Sequence, residues 1–195
     1  MTTSQVVFIA FVLLVALERL AELRLSRRNE TRLQELGARE HASGHFLAMQ
    51  LLHTLWLLSI ILEVTLLRPS FELWVTVPAA LVFGVGQCLR FLAIHALGGR
   101  WTVRVFILPG APPVTRGIYR YLRHPNYLGV ILELAALPLM HSAWRSAVVF
   151  TLANAVLLSV RIRQEERALK ENGGYEEALG PLPRLLPSLR ARGAA

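Results

Sequence analysis

Apolar residues fall into five runs, and polar residues gather in the links between them. The runs cover residues 5–23, 45–67, 71–97, 127–140 and 144–160. A helix crosses a bilayer with about 20 apolar residues, in a range of roughly 17–25, so the first three runs are long enough. The fourth run is short, and only residues 141–143 separate it from the fifth, which predicts a tight helical hairpin. The pattern therefore predicts an all-α fold, a polytopic membrane helix bundle of about five transmembrane helices.

Arginine is concentrated in alternate links. The links after the first and third runs and the tail after the fifth are rich in arginine, whereas the links after the second and fourth contain only Arg68 and Arg145. Because cytoplasmic links carry the excess of basic residues, we expect the N-terminus outside and the rich segments in the cytoplasm. Twenty arginines accompany one lysine, Lys170, a bias typical of a GC-rich genome. We therefore predict an integral protein of the bacterial inner (cytoplasmic) membrane.

The composition agrees with a membrane protein. Mean hydropathy is +0.45, and charged residues make up 17% of the chain, against about 25% in soluble domains. The net charge is +8, and the arginines lie between the apolar runs, where they orient helices and contact anionic lipid. Membrane lipids are therefore predicted partners, and nucleic acid is not. Cysteine and histidine do not occur at zinc-ligand spacing, which predicts no metal, and the single Cys88 is expected to be buried.

A polar motif precedes the fourth run, where Arg123, His124, Pro125 and Tyr127 lead from a loop into a helix. Proline suits the first helical turn, and the free amides of that turn can bind an anionic group. His124 and Arg123 can add hydrogen bonds and charge. Each residue also has a structural explanation, in which Arg123 binds lipid phosphate, Tyr127 anchors the membrane interface and His124 caps the helix.

The pair Glu165 and Glu166 ends the fifth run. Glu165 lies four residues after Arg161, and Glu166 lies three residues after Arg163. Ion pairs on a solvated helix face would explain this spacing. Alternatively, a carboxylate holds the ammonium group of a cofactor while Arg161 holds an anionic substrate oxygen. In the third run, Gly84 and Gly86 predict close helix packing, and Gln87 could line a cavity.

Together these elements resemble the isoprenylcysteine carboxyl methyltransferase (ICMT) family of integral membrane methyltransferases. The resemblance covers about residues 84–187 and is carried by residues 117–129, the Glu165-Glu166 pair, residues 97–102, Gly174-Tyr175 and Leu182-Pro183. It implies a cytoplasmic S-adenosylmethionine site, S-adenosylhomocysteine as product, and a lipophilic or prenylated substrate that enters from the bilayer. It also implies a single methyltransferase domain over 1–195, with two N-terminal spans in 1–70 and a catalytic core in 71–195.

The resemblance assigns roles residue by residue. Residues matching the cofactor site are Arg123, His124, Pro125, Tyr127 and Glu165, with Gln87 as a weaker match. Arg161 and Glu166 match positions close to the methyl-accepting group and are the predicted catalytic residues. If the acceptor is a carboxylate, little acid-base help is needed; if it is a phenol or enol, Glu166 is the candidate base. One departure is that residues 170–175 lack the aromatic residue that commonly precedes the glycine.

Two other functions remain open at this point. The run from Arg123 to Gly129 also resembles NADPH-dependent membrane sterol reductases, but those usually have more spans and lack a Glu-Glu pair followed by leucine at this spacing. A non-catalytic lipid-binding protein with a degenerate site is the third hypothesis. The sequence of residues 165–169 favours methyl transfer to an oxygen of a lipophilic acceptor. In a bacterial protein, a long-chain phenolic or pyrone molecule is a more plausible acceptor than a prenylated protein, and a phospholipid amine is a further option.

Overall fold

The computed structural model describes residues 1–41, 44 and 46–186. Position 45, where the second apolar run begins, and position 187, where the family resemblance ends, lie outside the described residues. The helices are α1 (Thr3–Glu35), α2 (Phe46–Leu62) with a π-helical turn (Glu63–Leu67), α3 (Leu73–Leu97), α4 (Pro125–Leu139), α5 (Trp144–Glu171) and α6 (Tyr175–Leu179). Single 3-10 turns occur at Gly98–Arg100 and Gly117–Arg120, and the strands are β1 (Arg39–His41) and β2 (Val105–Ile107).

Three of the described helical segments are long and apolar enough to cross a membrane: Phe46–Leu67, Leu73–Arg100 and Trp144–Glu171. Helix α1 has 33 residues, about 50 Å at 1.5 Å per residue, but it carries charges from Glu18 onward. Helix α4 has 15 residues, fewer than a straight crossing needs. The protein is thus mostly helical with three candidate spans, and the count of five spans remains a prediction.

Helix α1 continues 12 residues past its apolar run, from Leu23 to Glu35. Its start is fixed by a capping box, in which the Thr2 hydroxyl accepts from the Gln5 amide and the Gln5 side chain accepts from the Thr2 amide. Arginine, glutamate and leucine are good helix formers, so the polar sequence extends the helix instead of ending it. The apolar pattern marked the part of α1 suited to a membrane, not the whole helix.

The all-α prediction missed a short two-stranded ribbon. Strands β1 and β2 pair antiparallel, with Arg39 opposite Ile107 and His41 opposite Val105. Three residues are too few to show the alternation of a strand, and their partners lie far apart in the chain, so the sequence offered no signal. The ribbon brings the two arginine-rich links to the same end of the helical bundle.

Helices α3 and α4 meet closely through glycine. A Cβ atom added at Gly129 would lie 2.6 Å from the Arg90 Cγ and 2.7 Å from the Gly86 carbonyl oxygen. A Cβ atom at Gly86 would lie 3.0 Å from the Gly129 carbonyl oxygen, whereas one at Gly84 would meet nothing within 4 Å. The predicted packing role is therefore confirmed for Gly86 and wrong for Gly84. The prediction of a buried thiol is also wrong, because Cys88 is exposed on α3.

At the opposite end of the bundle, a carboxylate caps α5. Glu63 accepts hydrogen bonds from the Arg145 amide at 3.1 Å, and from the Ser146 amide at 2.8 Å and hydroxyl at 2.7 Å. Unpaired amides at a helix start favour a negative group. This contact ties α2 to α5 and fixes the short connection between α4 and α5 beside it.

Candidate active site

The predicted motif forms the start of α4, and the C-terminal tail lies against it. His124 has an extended φ of −128°, and Pro125 is the first residue of the helix. The Arg123 amide donates to the Pro183 carbonyl and the His124 amide donates to the Arg184 carbonyl, both at 3.0 Å. A third bond runs from the Arg123 Nε to the Leu182 carbonyl at 2.8 Å. Residues 182–184 of the tail therefore fix the backbone of Arg123 and His124 at the start of α4.

Glu166 is buried among three basic side chains. The His124 Nε2 donates to its Oε1 at 3.1 Å, and the Arg184 Nη2 donates to its Oε2 at 2.6 Å. The Arg123 Nη1 lies 3.4 Å from the same Oε1. Only 3% of Glu166 is exposed. Its oxygens are thus occupied by cations and by the imidazole.

Glu165 belongs to a second group on the same helix. The Tyr127 hydroxyl donates to the Glu165 Oε2 and accepts a bond from the Arg161 Nε at 2.7 Å. Arg161 also donates through Nη2 to the Val103 carbonyl, so α5 is tied to the segment before β2. The Tyr127 ring stacks on the His124 ring, with centroids 5.3 Å apart. This stack joins the two carboxylate groups into one site.

Three polar atoms of this site are free to meet a ligand. The Arg161 Nη1, the Glu165 Oε1 and the His124 Nδ1 make no hydrogen bond with any residue that the structure describes. All three residues line one cavity of about 550 Å³. A guanidinium, a carboxylate and an imidazole, each with an atom that no described residue pairs, therefore border the same space.

The cavity has two chemically different parts. Near the arginine-rich links, which the sequence predicts to be cytoplasmic, the cavity is lined by aromatic and polar residues, among them Trp101, Tyr119, Asn126 and Tyr175. Burial raises the pKa of Tyr175 to about 12, so its phenol stays protonated at physiological pH. Along α1 and α2 the cavity is lined mainly by apolar residues, such as Leu13, Leu20, Met49, Leu57 and Ile61. Tyr127 and Val130, about one turn apart on α4, also line the cavity.

The structure brings together most of the residues predicted from the sequence. Those that line the cavity are Arg123, His124, Tyr127, Arg161 and Glu165. Pro125 is buried and starts α4. Glu166 contacts the site through His124 and is not among the cavity-lining residues. Gln87 is not brought to this group, because its amide donates to the Glu18 Oε2 at 2.9 Å on the α1 side.

Several site residues escaped the sequence analysis. Arg184 looked like one more basic residue of the tail, yet it contacts Glu166 through two nitrogens. Trp101 is 3% exposed and lines the cavity. Trp101 belongs to the run 97–102 that carries the family resemblance, but no sequence pattern assigned it a role in the site. Val103 contributes only its backbone carbonyl, and because every residue has one, the residue type gives no signal of this role.

Comparisons with known proteins place the chain in a family. A model of the Isoprenylcysteine carboxyl methyltransferase (ICMT) family matches residues 78–171. Among similar proteins, "Uncharacterized protein YpbQ" of Bacillus subtilis is 38% identical over 164 residues, which cover 83% of this chain and 97% of that protein. A "Probable protein-S-isoprenylcysteine O-methyltransferase" of Oryza sativa subsp. indica is 30% identical, over 77% of this chain and 78% of that protein.

An "Uncharacterized protein" of Haemophilus influenzae is 31% identical, over 83% of this chain and 93% of that protein. The family match includes the motif at 123–127 and the Glu165-Glu166 pair, which line or support the cavity. It also includes most of α3 and all of α5, which belong to two of the candidate spans. The resemblance seen in the sequence is confirmed: this chain is an integral membrane protein that belongs to the isoprenylcysteine carboxyl methyltransferase family.

Proposed function

We propose that this protein transfers a methyl group from S-adenosylmethionine to an oxygen of a lipophilic acceptor. The observation that carries the proposal is a single cavity lined both by aromatic and polar residues, among them Tyr127 and Arg161, and by apolar residues of α1 and α2. A water-soluble donor fits the first part, and a lipophilic acceptor fits the second. Holding two reactants in line contributes roughly 7–11 kcal/mol to such a reaction.

The polar part of the cavity has the chemistry that this cofactor needs. The Asn126 Oδ1 is buried and has no hydrogen-bond partner among the described residues, so an acceptor is available there. The Glu165 carboxylate can bind the cofactor's ammonium group, and the ring of Trp101 or Tyr119 can pack against adenine. We therefore keep Glu165, Tyr127, His124 and Arg123 as the proposed cofactor-binding residues.

The sulfonium group supplies a carbon whose bond to sulfur breaks as its bond to the acceptor oxygen forms. Arg161 is the proposed catalytic residue, because its free Nη1 can bind the acceptor oxygen while Nε and Nη2 hold the guanidinium in place. The fixed orientation means that little reorganisation is needed during the reaction. The low-dielectric surroundings strengthen the attraction between an anionic acceptor and the guanidinium.

A phenol or enol acceptor must also lose a proton, and the geometry favours His124 as its recipient. Its Nε2 is hydrogen bonded to Glu166, so Nδ1 is the nitrogen left to accept a proton, and the residue lines the cavity. The proton leaves the acceptor oxygen for Nδ1, and Glu166 stabilises the resulting imidazolium. We thus propose Glu166 as a positioning residue rather than as the base itself. A carboxylate acceptor needs no such step.

We also propose the side of the membrane. The β1–β2 ribbon and the site lie among the arginine-rich links, which the positive-inside rule assigns to the cytoplasm. The apolar lining along α1 and α2 would then receive an acceptor that enters from the bilayer. Prenylated cysteine carboxylates and long-chain phenols or enols are the acceptor classes that fit this arrangement.

The proposal is tested by equilibrium binding of S-adenosylhomocysteine to detergent-purified protein, followed by transfer of labelled methyl groups to membrane lipid extracts. We expect the Glu165→Gln variant to bind S-adenosylhomocysteine at least about tenfold more weakly, since a hydrogen bond to a charged group contributes about 1.5–3 kcal/mol. The matched control is Glu177→Gln, an exposed carboxylate on α6 that should change nothing. Binding of NADPH without binding of S-adenosylhomocysteine would replace methyl transfer by reduction as the proposed activity.

A further inference from the structure

The apolar part of the cavity contains a group of charged residues well inside the helical bundle. Arg19 on α1 pairs with Glu22 at 2.7 Å and with Glu133 at 2.5 Å. Arg90 on α3 pairs with the same two carboxylates. Charges inside a membrane protein are costly unless they are paired, and they commonly mark a functional site. Here two arginines and two glutamates are paired with one another.

Part of this network faces the cavity. Arg90 and Glu133 have only 6% and 1% of their side chains exposed. Arg90 nevertheless lines the cavity, whereas Glu133 is not among its lining residues. Arg19 and Glu22 are 13% and 14% exposed, and both line the cavity. Thus two arginines and a glutamate border a part of the cavity that is otherwise lined mainly by leucine, isoleucine and methionine.

His53 of α2 adds a hydrogen-bonding atom that the ion pairs do not use. Its Nδ1 donates to the Met49 carbonyl at 2.8 Å, one helical turn earlier. In a neutral ring this leaves Nε2 as an acceptor, and Nε2 makes no hydrogen bond with any described residue. His53 lines the cavity and is close enough to Arg19 and Glu22 to interact with their charges. A polar atom at this depth therefore has no protein partner within the described part of the chain.

We propose that His53, Arg19 and Glu22, here called the polar shelf, bind a second oxygen group of the lipophilic acceptor. The ligand group would be a hydroxyl, which can donate to the His53 Nε2 and accept from Arg19, or a carbonyl, which can only accept. The inference rests on the proposed methyl transfer and specifies its substrate class. Ion pairs alone would serve to hold α1 against α3 and α4, but that role gives no reason for the free nitrogen of His53.

The helix geometry gives the spacing of the two oxygen groups. On α4, Tyr127 is hydrogen bonded to Arg161, which binds the methyl-accepting oxygen, and Glu133 is paired with Arg19 of the polar shelf. The two residues are six apart, a distance of roughly 9 Å along the helix. The acceptor is then a long-chain molecule with a second oxygen roughly 9 Å from the oxygen that receives the methyl group. A plain prenyl or alkyl chain has no polar atom at that position.

The test compares two probes, 4-pentadecylphenol and 4-(3-hydroxypentadecyl)phenol, whose only difference is a hydroxyl at about this spacing. Binding to the detergent-purified full chain is measured by thermal stabilisation without cofactor. Wild-type protein should bind the hydroxylated phenol about fivefold more tightly, the gain from one net hydrogen bond of about 1 kcal/mol. His53→Phe should abolish this preference, and His53→Gln, which keeps an acceptor atom, should restore part of it.

The matched control is Thr54→Val, since Thr54 lines the same cavity but its hydroxyl donates to the Gln50 carbonyl at 2.9 Å. Equal binding of both phenols by wild type, no binding of either, or an unchanged preference in His53→Phe would overturn the polar shelf. Loss of the preference in Thr54→Val would also overturn it. Because the readout needs no methyl transfer, protein that prefers the hydroxylated phenol but methylates nothing would sink the proposed function alone.

Discussion

Replacing Glu166 by glutamine tests the division of labour between the two adjacent carboxylates. The substitution keeps the size of the side chain but removes its negative charge. His124, Arg123 and Arg184 would then face a neutral amide in place of a carboxylate. The amide can also present an N–H to the imidazole, which would leave the orientation and tautomer of His124 without a fixed partner.

The cost in stability can be worked out contact by contact. The His124 contact is buried on both sides, 4% exposed each, so the loss of a charge-assisted hydrogen bond costs about 1.5–3 kcal/mol. Arg184 is 55% exposed, and such a pair contributes at most about 1 kcal/mol. Arg123 lies at 3.4 Å and adds little as a hydrogen bond. We expect a loss of about 1.5–4 kcal/mol in the free energy of unfolding.

Two assays separate stability from chemistry. Unfolding in detergent measures the stability of the variant. The control is Glu171→Gln, which changes an exposed carboxylate at the end of α5. Methyl transfer by the folded variant is then compared for a carboxylate and a phenol acceptor. The phenol rate should fall by about 10²-fold or more, because it depends on proton transfer to His124, while the carboxylate rate should fall much less. Wild-type stability, or an equal fall for both acceptors, would refute the reasoning.

Other substitutions test the rest of the site and its support. Arg161→Lys cannot hold Tyr127 and Val103 together, so kcat should fall by about 10²-fold with S-adenosylhomocysteine affinity retained, as stopped assays and binding would measure. Gly129→Ala places a Cβ 2.6 Å from Arg90 and should cost about 1–3 kcal/mol of stability in detergent unfolding. Gly84→Ala, with open space around it, is the matched control and should not destabilise; equal losses in both would contradict the packing argument.

The site was predictable to the extent that its residues carry local signals. Pro125 marks the start of α4 because its fixed φ and missing amide suit a first helical turn. Glu165 and Glu166 stood out because two acids end an apolar run, where acids need partners. Those two features, with Arg161 one turn earlier, led to the side chains that line or support the cavity.

The same reasoning could not separate neighbours on a helix. Adjacent residues point about 100° apart around a helix with 3.6 residues per turn, so Glu165 faces the cavity while Glu166 faces the tail. Gln87 lies on the correct helix, but its side chain meets Glu18 instead. Trp101 and Arg184 depend on segments whose positions are set by long-range contacts.

By itself the sequence determined the helical character, the apolar segments, the family and the chemical elements of the site, because hydrophobic runs and rare polar motifs are local properties of the chain. The tertiary structure decided which polar atoms face one another. The ribbon, the Gly86–Gly129 contact and the tail bring together residues that are distant in sequence. Only that convergence creates the two-part cavity, leaves Arg161 and His124 with free nitrogens inside it, and places His53 beside the buried ion pairs.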